Sequence, residues 1–172
     1  MRIVAGRWRG RRIDAPAGED VRPTLDRVRE AWMSILQPDI PGASVVDLFA
    51  GSGALGIEAL SRGAASVDFV ESSARSLTVL RANLERLGAG VEARVQRKDA
   101  LRFAAALPEL SYDIAFADPP YKTAIATRLA EIWLRTHFAS ILGVEHPSSE
   151  RLIGGDTRRY GTTAITIYRA EE

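Results

Sequence analysis

Short apolar runs alternate with segments of helical periodicity along this chain of 172 residues. This alternation limits the possible folds more than any other feature of the sequence. Strands separated by helices form a right-handed, mostly parallel sheet with helices on both faces. We therefore predict an α/β fold whose ligand site lies in the crevice beyond the carboxyl ends of the strands. The predicted strands span residues 44–46, 67–71, 91–96, 112–117, 139–145 and 163–168, and the predicted helices span 25–36, 54–62, 74–87, 100–107 and 125–136.

A glycine-rich segment follows the first predicted strand. Residues Gly51 to Gly56 have the G-x-G-x-x-G spacing of a dinucleotide-binding loop, and Glu71 follows Gly51 by twenty positions, at the end of the next strand. A nicotinamide dinucleotide is therefore one candidate ligand. Asp47, at the end of the first strand, favours another, because a carboxylate repels a pyrophosphate but attracts the cationic ammonium of a methionine moiety. S-adenosylmethionine (SAM) is a nucleotide ligand that lacks phosphates and carries a positive charge.

The tetrapeptide Asp118-Pro119-Pro120-Tyr121 ends the apolar run 112–117. Two successive prolines fix φ at about −65° and remove two backbone donors, so they predict a stiff, extended corner. The Asp118 carboxylate and the Pro119 carbonyl can both accept hydrogen bonds from an exocyclic amino group, while Tyr121 covers the base that carries it. Together with the glycine loop, this corner favours a SAM-dependent amino-group methyltransferase over a hydride-transfer enzyme. A rigid turn with a core tyrosine is the alternative.

Five arginines and one tryptophan, with no acidic residue, fall within the first twelve residues. Guanidinium groups bind phosphates through paired hydrogen bonds, and a tryptophan offers a stacking surface for a base. We predict a β-hairpin with strands at 2–4 and 11–13, bends at Gly6 and Gly10, and contacts to nucleic acid. A solvated edge ribbon with the tryptophan packed on the body of the protein is the alternative. The candidate contacts are Arg7, Trp8, Arg9, Arg11 and Arg12.

The first predicted helix marks the end of an N-terminal extension. Thr24 is its predicted N-cap, Asp26 lies in its first turn, and Pro38 follows its end. We expect the basic hairpin and this helix, residues 1–40, to pack on a main domain of residues 41–172.

The composition excludes several kinds of site. The chain has no cysteine, so it has neither disulfides nor thiolate metal ligands, and His137 and His146 are too few for a histidine cage around a metal. There is no apolar run long enough to cross a bilayer and no signal-peptide pattern. The net charge of +1 says little about partners. We expect a metal-free, cytoplasmic protein that acts as a monomer.

The order of these motifs resembles the RsmD-type 16S ribosomal RNA (guanine-N2)-methyltransferases over nearly the whole chain. The resemblance implies a class I SAM-dependent methyltransferase fold (Rossmann-like) with seven strands, the last inserted antiparallel. It also implies SAM as methyl donor and a guanine amino group in small-subunit RNA, free or in an assembling particle, as acceptor. The matching segments are residues 2–11, Arg22 to Thr24, Asp26 to Glu30, Asp47 to Gly56 and Asp118 to Tyr121.

The candidate site residues fall into three groups under this function. Asp118, Pro119 and Tyr121 are expected at the reacting amino group, and whether Asp118 also takes the proton stays open. Glu71 would bind the ribose of SAM, and Asp99 its adenine amino group. The other candidates for SAM are Asp47, Phe49, Gly51, Gly53 and Ala100, with Asp118 shared between donor and acceptor, while Arg22 and Tyr121 complete the candidates for RNA.

The sequence departs from the family's pattern at two places. Ser72-Ser73 stands where the family often has a second acidic residue after the glutamate. The stretch 147–159 is shorter than the usual sixth-strand region, which leaves the outer edge of the sheet and one substrate loop open. Two other functions also stay open: methylation of a different amino group, in DNA adenine or protein glutamine, and RNA binding without catalysis around a vestigial nucleotide pocket.

Overall fold

The computed structural model describes residues 1–17, 23–122 and 124–171, with residues 23–25 described in their backbone only. After the N-terminal segment, strands and helices alternate along the chain. In order they are α1 (Pro23–Leu36), a 3₁₀ turn (Gln37–Asp39), β1 (Ser44–Leu48), α2 (Ala54–Ser61), β2 (Ser66–Glu71), α3 (Ala74–Leu87), β3 (Ala93–Arg97), α4 (Ala100–Ala105), β4 (Tyr112–Ala117), α5 (Ile125–Thr136), β5 (Ala139–Pro147), β6 (Asp156–Tyr160) and β7 (Thr163–Arg169).

The seven strands form one sheet in the order β3-β2-β1-β4-β5-β7-β6. Strands β1 to β5 pair in parallel, and β7 runs antiparallel between β5 and β6. The predicted class I methyltransferase fold, with its last strand inserted antiparallel, is confirmed. The sequence did not predict β6, because its residues Asp156 to Tyr160 contain no apolar run and are mostly exposed at the sheet edge. The short stretch after residue 147 therefore still completes the sheet.

Alternate residues of the strands face two hydrophobic cores on opposite sides of the sheet. Val45 of β1 packs in the core that α1, α2 and α3 cover, and Val46 packs in the core that α4 and α5 cover. In the first core the Trp32 ring of α1 meets the Phe116 ring of β4 edge to face, with centroids 5.5 Å apart. This contact fixes α1 against the central strands, on the face that also carries the N-terminal segment.

The N-terminal segment folds back on itself with two antiparallel arms, as predicted, but the arms form a bridge rather than two full strands. The Ile3 amide donates to the Arg11 carbonyl at 2.9 Å, while Arg2 and Arg12 form only an isolated antiparallel bridge. Glu58 of α2 accepts hydrogen bonds from the next two amides, of Val4 and Ala5, at 2.9 and 3.2 Å. These donors are thus taken by the body of the protein and cannot extend a ladder between the two arms.

The boundaries of three elements, α3, β4 and α5, agree with the sequence prediction to the residue. The predicted N-cap of α1 is wrong. The helix begins at Pro23, so Thr24 lies inside its first turn, and the first position of a helix suits proline because its missing amide is not needed there. The residue before it, Arg22, lies outside the described residues.

The described helices include none whose length and apolar character would let it cross a membrane. Across residues 1–17, 23–122 and 124–171, histidines and carboxylates do not gather into a group that could hold a metal ion.

Candidate active site at the carboxyl edge of the sheet

The glycine loop connects β1 to α2 at the carboxyl edge of the sheet. Gly51 and Gly53 have φ of +58° and +88°, which glycine adopts without steric cost. A Cβ atom on Gly53 would approach Leu80 Cδ1 to 2.4 Å, whereas one on Gly51 would meet no described atom within 4 Å. Gly53 is therefore needed for packing, and Gly51 presents its backbone to open space that a ligand can enter.

Two residues before the first loop glycine, the backbone is strained. Phe49 has φ of +58°, a region that costs a non-glycine residue about 1–3 kcal/mol and that clusters at functional sites. Its side chain is half-buried against the core under α4 and α5. This left-handed conformation turns the chain sharply out of β1, so that the loop crosses the edge of the sheet.

Asp47 holds the loop from below. It is only 1% exposed, and its Oδ2 accepts a hydrogen bond from the Gly56 amide of α2 at 2.9 Å. Burial raises the pKa of Asp47 well above its ordinary value, and the nearby carboxyls of Asp118 and Glu71 raise it further. The sequence predicts this carboxylate beside the ammonium group of a bound methionine moiety. In the structure it lies enclosed beneath the loop and contacts the Gly56 amide.

Glu71, at the end of β2, fixes the other side of the loop. Its Oε1 accepts from the Gly51 amide and its Oε2 accepts from the Ser73 amide, both at 2.8 Å. Each carboxylate oxygen can accept a second hydrogen bond, so these contacts leave capacity for ligand hydroxyl groups. Ser73, where the family often has an acid nearby, instead caps α3 by accepting from the Ser76 amide at 3.3 Å.

Asp99 ends the third strand region and caps α4. Its Oδ1 accepts from the Arg102 amide at 2.9 Å, and the side chain is exposed. The neighbouring Ala100 begins the helix and is buried. This capping contact occupies one of the two carboxylate oxygens of Asp99.

The diproline corner lies beside the glycine loop. Leu48 of β1 pairs with Ala117 of β4, so Phe49 and Asp118 follow neighbouring positions at the same edge. Asp118 is exposed and Pro119 is buried. Tyr121 is 54% exposed, and its hydroxyl shares a hydrogen bond of 3.0 Å with Thr163 Oγ1 of β7, so it is not a core tyrosine.

Glu145 of β5 is a part of this edge that the sequence analysis missed. It is 5% exposed and lies next to Asp118, because Val144 pairs with Ala117. Burial, and then the hydrogen bond and the negative charge of Asp118, raise the pKa of Glu145 to about 10. The more accessible acids of this edge, Glu71, Asp99 and Asp118, form no ion pair within the described part of the chain, so the edge is suited to a cationic ligand and opposes a pyrophosphate.

A second concave surface lies between the N-terminal segment and α1. It is an open cleft of about 660 Å³ whose lining includes four arginines and two acidic residues. Arg7 and Arg11 lie outside this lining: Arg7 pairs with Glu92 at 3.0 Å, and Arg11 Nη2 donates to the Arg86 carbonyl at 2.9 Å. The charged lining residues are Arg2, Arg9, Arg12, Asp26, Arg29 and Glu30.

Trp8 does not offer the stacking surface that the sequence predicted. Its side chain is 7% exposed and belongs to the core under α1, α2 and α3, and its amide donates to Ser61 Oγ at 3.0 Å. The Arg7 guanidinium covers the indole ring at 4.1 Å. The observed arrangement is the alternative, a tryptophan packed on the body of the protein. Burying the large apolar surface of an indole stabilises the fold more than exposing it on a basic ribbon does.

Asn83 of α3 ties the N-terminal segment to the glycine loop and was also missed. Its Oδ1 accepts from the Asp14 amide, and its Nδ2 donates to the Asp14 and Ser52 carbonyls, all at 3.0 Å. The side chain is fully buried. The sequence shows no sign of these contacts beyond an asparagine within a predicted helix, because the partners of Asn83 lie 31 and 69 residues away in sequence.

Similar proteins extend over the whole of this architecture. The model of a family described as conserved hypothetical protein 95 matches residues 1–169. The Bacillus subtilis (strain 168) protein YlbH, provisionally named an rRNA methyltransferase, is 38% identical over 182 aligned positions that cover 98% of each chain. Ribosomal RNA small subunit methyltransferase D of Haemophilus influenzae is 35% identical, covering 98% of this chain and 92% of its own. The solved structure of the Escherichia coli protein yhhF, provisionally named a methyltransferase, has a TM-score of 0.85 and 34% identity over 99% and 98% of the two chains.

Proposed function

We propose a function from one premise: this chain belongs to the family described as conserved hypothetical protein 95, the RsmD-type family that its motifs resemble. The chain is proposed to transfer a methyl group from SAM to the exocyclic N2 amino group of a guanine in 16S ribosomal RNA, free or within an assembling small subunit. Relatives named as rRNA methyltransferases support ribosomal RNA as the substrate. The diproline corner supports an amino group as the acceptor.

One observation carries the proposal. The pairing of Leu48 with Ala117 brings the glycine loop and Asp118 to adjacent positions at one edge of the sheet. A donor held by the loop and a base held by the corner would then meet within one crevice. Alignment of two reactants in this way supplies most of what a methyl transfer requires, because the donor is already reactive.

The residues of the crevice fit SAM better than a dinucleotide. The open space at Gly51 admits a ligand close to the backbone, and Glu71 has unused acceptor capacity for ribose hydroxyls. Asp99 would accept from the adenine amino group, with Phe49 and Ala100 beside it. Asp47 would act at the methionine end through its hold on the loop. When bound, SAM supplies the methyl group, whose transfer to nitrogen leaves a neutral thioether and releases one proton from the amino group.

The corner would prepare the acceptor. The lone pair of a guanine N2 is delocalised into the ring, which makes the nitrogen a poor nucleophile. Hydrogen bonds from its two N–H groups to the Asp118 carboxylate and the Pro119 carbonyl would favour a pyramidal nitrogen whose lone pair is free to attack. Tyr121 would stack on the base, a contact of about 1–3 kcal/mol. A target that is paired in the RNA must first leave its stack.

The exposed arginines of the N-terminal segment would bind the RNA backbone. Arg9 and Arg12 line the cleft beside α1, and Arg7 and Arg11 lie on the adjoining surface. Arg22 is proposed with them from the sequence alone. Phosphate contacts of this kind fix the position of the RNA, while the choice of base falls to the crevice.

Transfer of radiolabelled methyl from SAM tests the proposal. Purified protein is incubated with 16S RNA, small ribosomal subunits from cells that lack the protein, DNA and total protein, and the modified nucleoside is identified by mass spectrometry. We expect N2-methylguanosine in the small-subunit RNA. Label only in DNA adenine or in glutamine would replace the guanine proposal by one of those activities.

Asp118→Ala provides the matching mutational test. The variant should lose nearly all transfer and keep its affinity for SAM, measured by calorimetry, because the acceptor side of the crevice is removed and the donor side is left intact. Asp113→Ala is the control: it removes an acid from the other end of β4, where Asp113 accepts hydrogen bonds from Ser44. Equal loss of transfer and SAM binding in Asp118→Ala would mean that Asp118 is structural.

A further inference from the structure

Glu145 stands beside Asp118 at the end of the neighbouring strand. It follows Val144, which pairs with Ala117 of β4, and Asp118 follows Ala117. Glu145 is nearly inaccessible to solvent, whereas Asp118 is exposed. One carboxyl group is thus withdrawn from water next to another that faces the crevice.

Alternation along the strands places both side chains on the same face of the sheet. Glu145 shares its face with Gly143, where an added Cβ atom would meet Trp32 Nε1 at 2.4 Å. Asp118 shares its face with Phe116, whose ring contacts Trp32. The packed indole of α1 therefore covers this face of β4 and β5 at Phe116 and Gly143, two residues before each acid.

The groups around Glu145 give its charge no compensation. Asp118 follows the strand on one side of it, and Ile165 of β7 is its neighbour on the other side. His146, the next residue, belongs to the opposite face, where its Nε2 bonds Thr166 Oγ1 at 2.8 Å. In the described ranges, Glu145 has no ion pair with a basic side chain. Two adjacent carboxyls in such a setting share one proton, and the more buried one retains it.

We propose that Glu145 is a positioning residue, whose carboxyl O–H donates a hydrogen bond to Asp118 and so holds the other Asp118 oxygen toward the acceptor amino group. The inference rests on the proposed function, since it assigns Glu145 a part in the methyl transfer for which Asp118 is the acceptor-binding residue. No bond of Glu145 is made or broken. Its hydrogen bond fixes one rotamer of an otherwise exposed side chain, and a misplacement of about 1 Å at such a position can cost about a hundredfold in rate.

Carboxyl-carbon NMR of the protein with ¹³C-labelled glutamate tests the hydrogen-bonded pair without any activity. The Glu145 signal is identified by its loss in Glu145→Gln. We expect this signal to stay at the position of a protonated acid from about pH 5 to about pH 8, as burial beside a second carboxyl group requires. A Glu145 signal that titrates below about pH 6 would overturn the proposal.

Steady-state kinetics of two substitutions test the positioning role. Glu145→Gln keeps a donor in place and should retain most of the wild-type kcat, whereas Glu145→Ala should lower kcat by roughly a hundredfold with little change in the KM for SAM. Glu150→Gln, the same chemical change five residues later at a side chain that accepts from Thr127, is the control. Equal loss in Glu145→Gln and Glu145→Ala, with both proteins folded by circular dichroism, would contradict positioning through a hydrogen bond.

The two proposals fail differently. If the wild-type protein transfers no methyl group to RNA, the proposed function is wrong, whatever the NMR titration gives. If the wild-type protein is active and Glu145 ionises at low pH, or Glu145→Ala keeps full kcat, only the inference about Glu145 is wrong.

Discussion

Replacing Glu145 with glutamine should stabilise the protein at neutral pH, and the gain should grow as the pH rises. The folded protein holds the proton of Glu145 because burial and Asp118 raise its pKa to about 10. In the unfolded chain the same group ionises at its ordinary value of 4.5. Between these values the unfolded state releases a proton that the folded state keeps, so the stability of the wild-type protein falls with rising pH.

The size of this effect follows from the two pKa values. Each pH unit above 4.5 costs the folded state about 1.4 kcal/mol relative to the unfolded state, so the cost at about pH 7.5 is about 4 kcal/mol. Glutamine does not ionise and escapes this cost, but its additional buried N–H group forfeits about 1–3 kcal/mol. A net gain of about 2 kcal/mol is expected, which raises the Tm by about 4–8 °C in a protein of this size.

Urea unfolding of both proteins at several pH values measures the effect. The free energy of unfolding of Glu145→Gln minus that of the wild type should increase by about 3 kcal/mol between about pH 5 and about pH 7.5. Other titrating groups, including the buried Asp47, are present in both proteins and cancel in the difference. Glu150→Gln should show no such trend. A difference between Glu145→Gln and the wild type that is constant over this range would refute the protonated state of Glu145.

Three further predictions concern the loop and the basic surface. The double substitution Arg9→Ala and Arg12→Ala should weaken RNA binding and reduce the slope of log affinity against log salt by about 1–2, because fewer counterions are released from the RNA when fewer phosphates are bound. Titrations by fluorescence anisotropy measure this slope, with Arg128→Ala on α5 as the control. An unchanged slope would show that the cleft does not bind RNA. Gly51→Ala should abolish SAM binding in calorimetry with a loss of stability of only about 1 kcal/mol, since the new methyl group enters the open space at φ of +58°; retained affinity would place the ligand elsewhere. Gly53→Ala should instead lose more than about 2 kcal/mol of stability in urea, because its methyl group meets Leu80 Cδ1 at 2.4 Å, and near wild-type stability would show that the loop can relax.

Local patterns predicted the elements whose residues carry their own signals. The helix α3 starts at a serine cap and stops at Gly88, and these signals act within a few residues, so the predicted range 74–87 is correct. The strand β4 was equally clear, because a buried central strand of a parallel sheet is a continuous apolar run that two prolines terminate. Strand β6 was not predicted, because its polar residues carry no strand signal of their own. A polar edge strand forms through pairing with its neighbour, here β7.

Some features of the candidate site were likewise predictable from the sequence and others were not. That Asp118 and the glycine loop share one edge followed from the sequence, because parallel strands bring their carboxyl ends together. That Asp47 is enclosed beneath the loop, and that Trp8 is packed inside, did not follow, since burial depends on segments far apart in the chain.

The sequence alone determined the alternation of strands and helices and the common edge of the glycine loop and Asp118, because periodicity, glycines and prolines restrict the backbone wherever they occur. Only the tertiary structure decided the charge state and the partners of the acids in it. Glu145 shows the reason: burial next to Asp118 raises the pKa of this carboxyl group to about 10, so it keeps a proton that the same residue would lose on the surface.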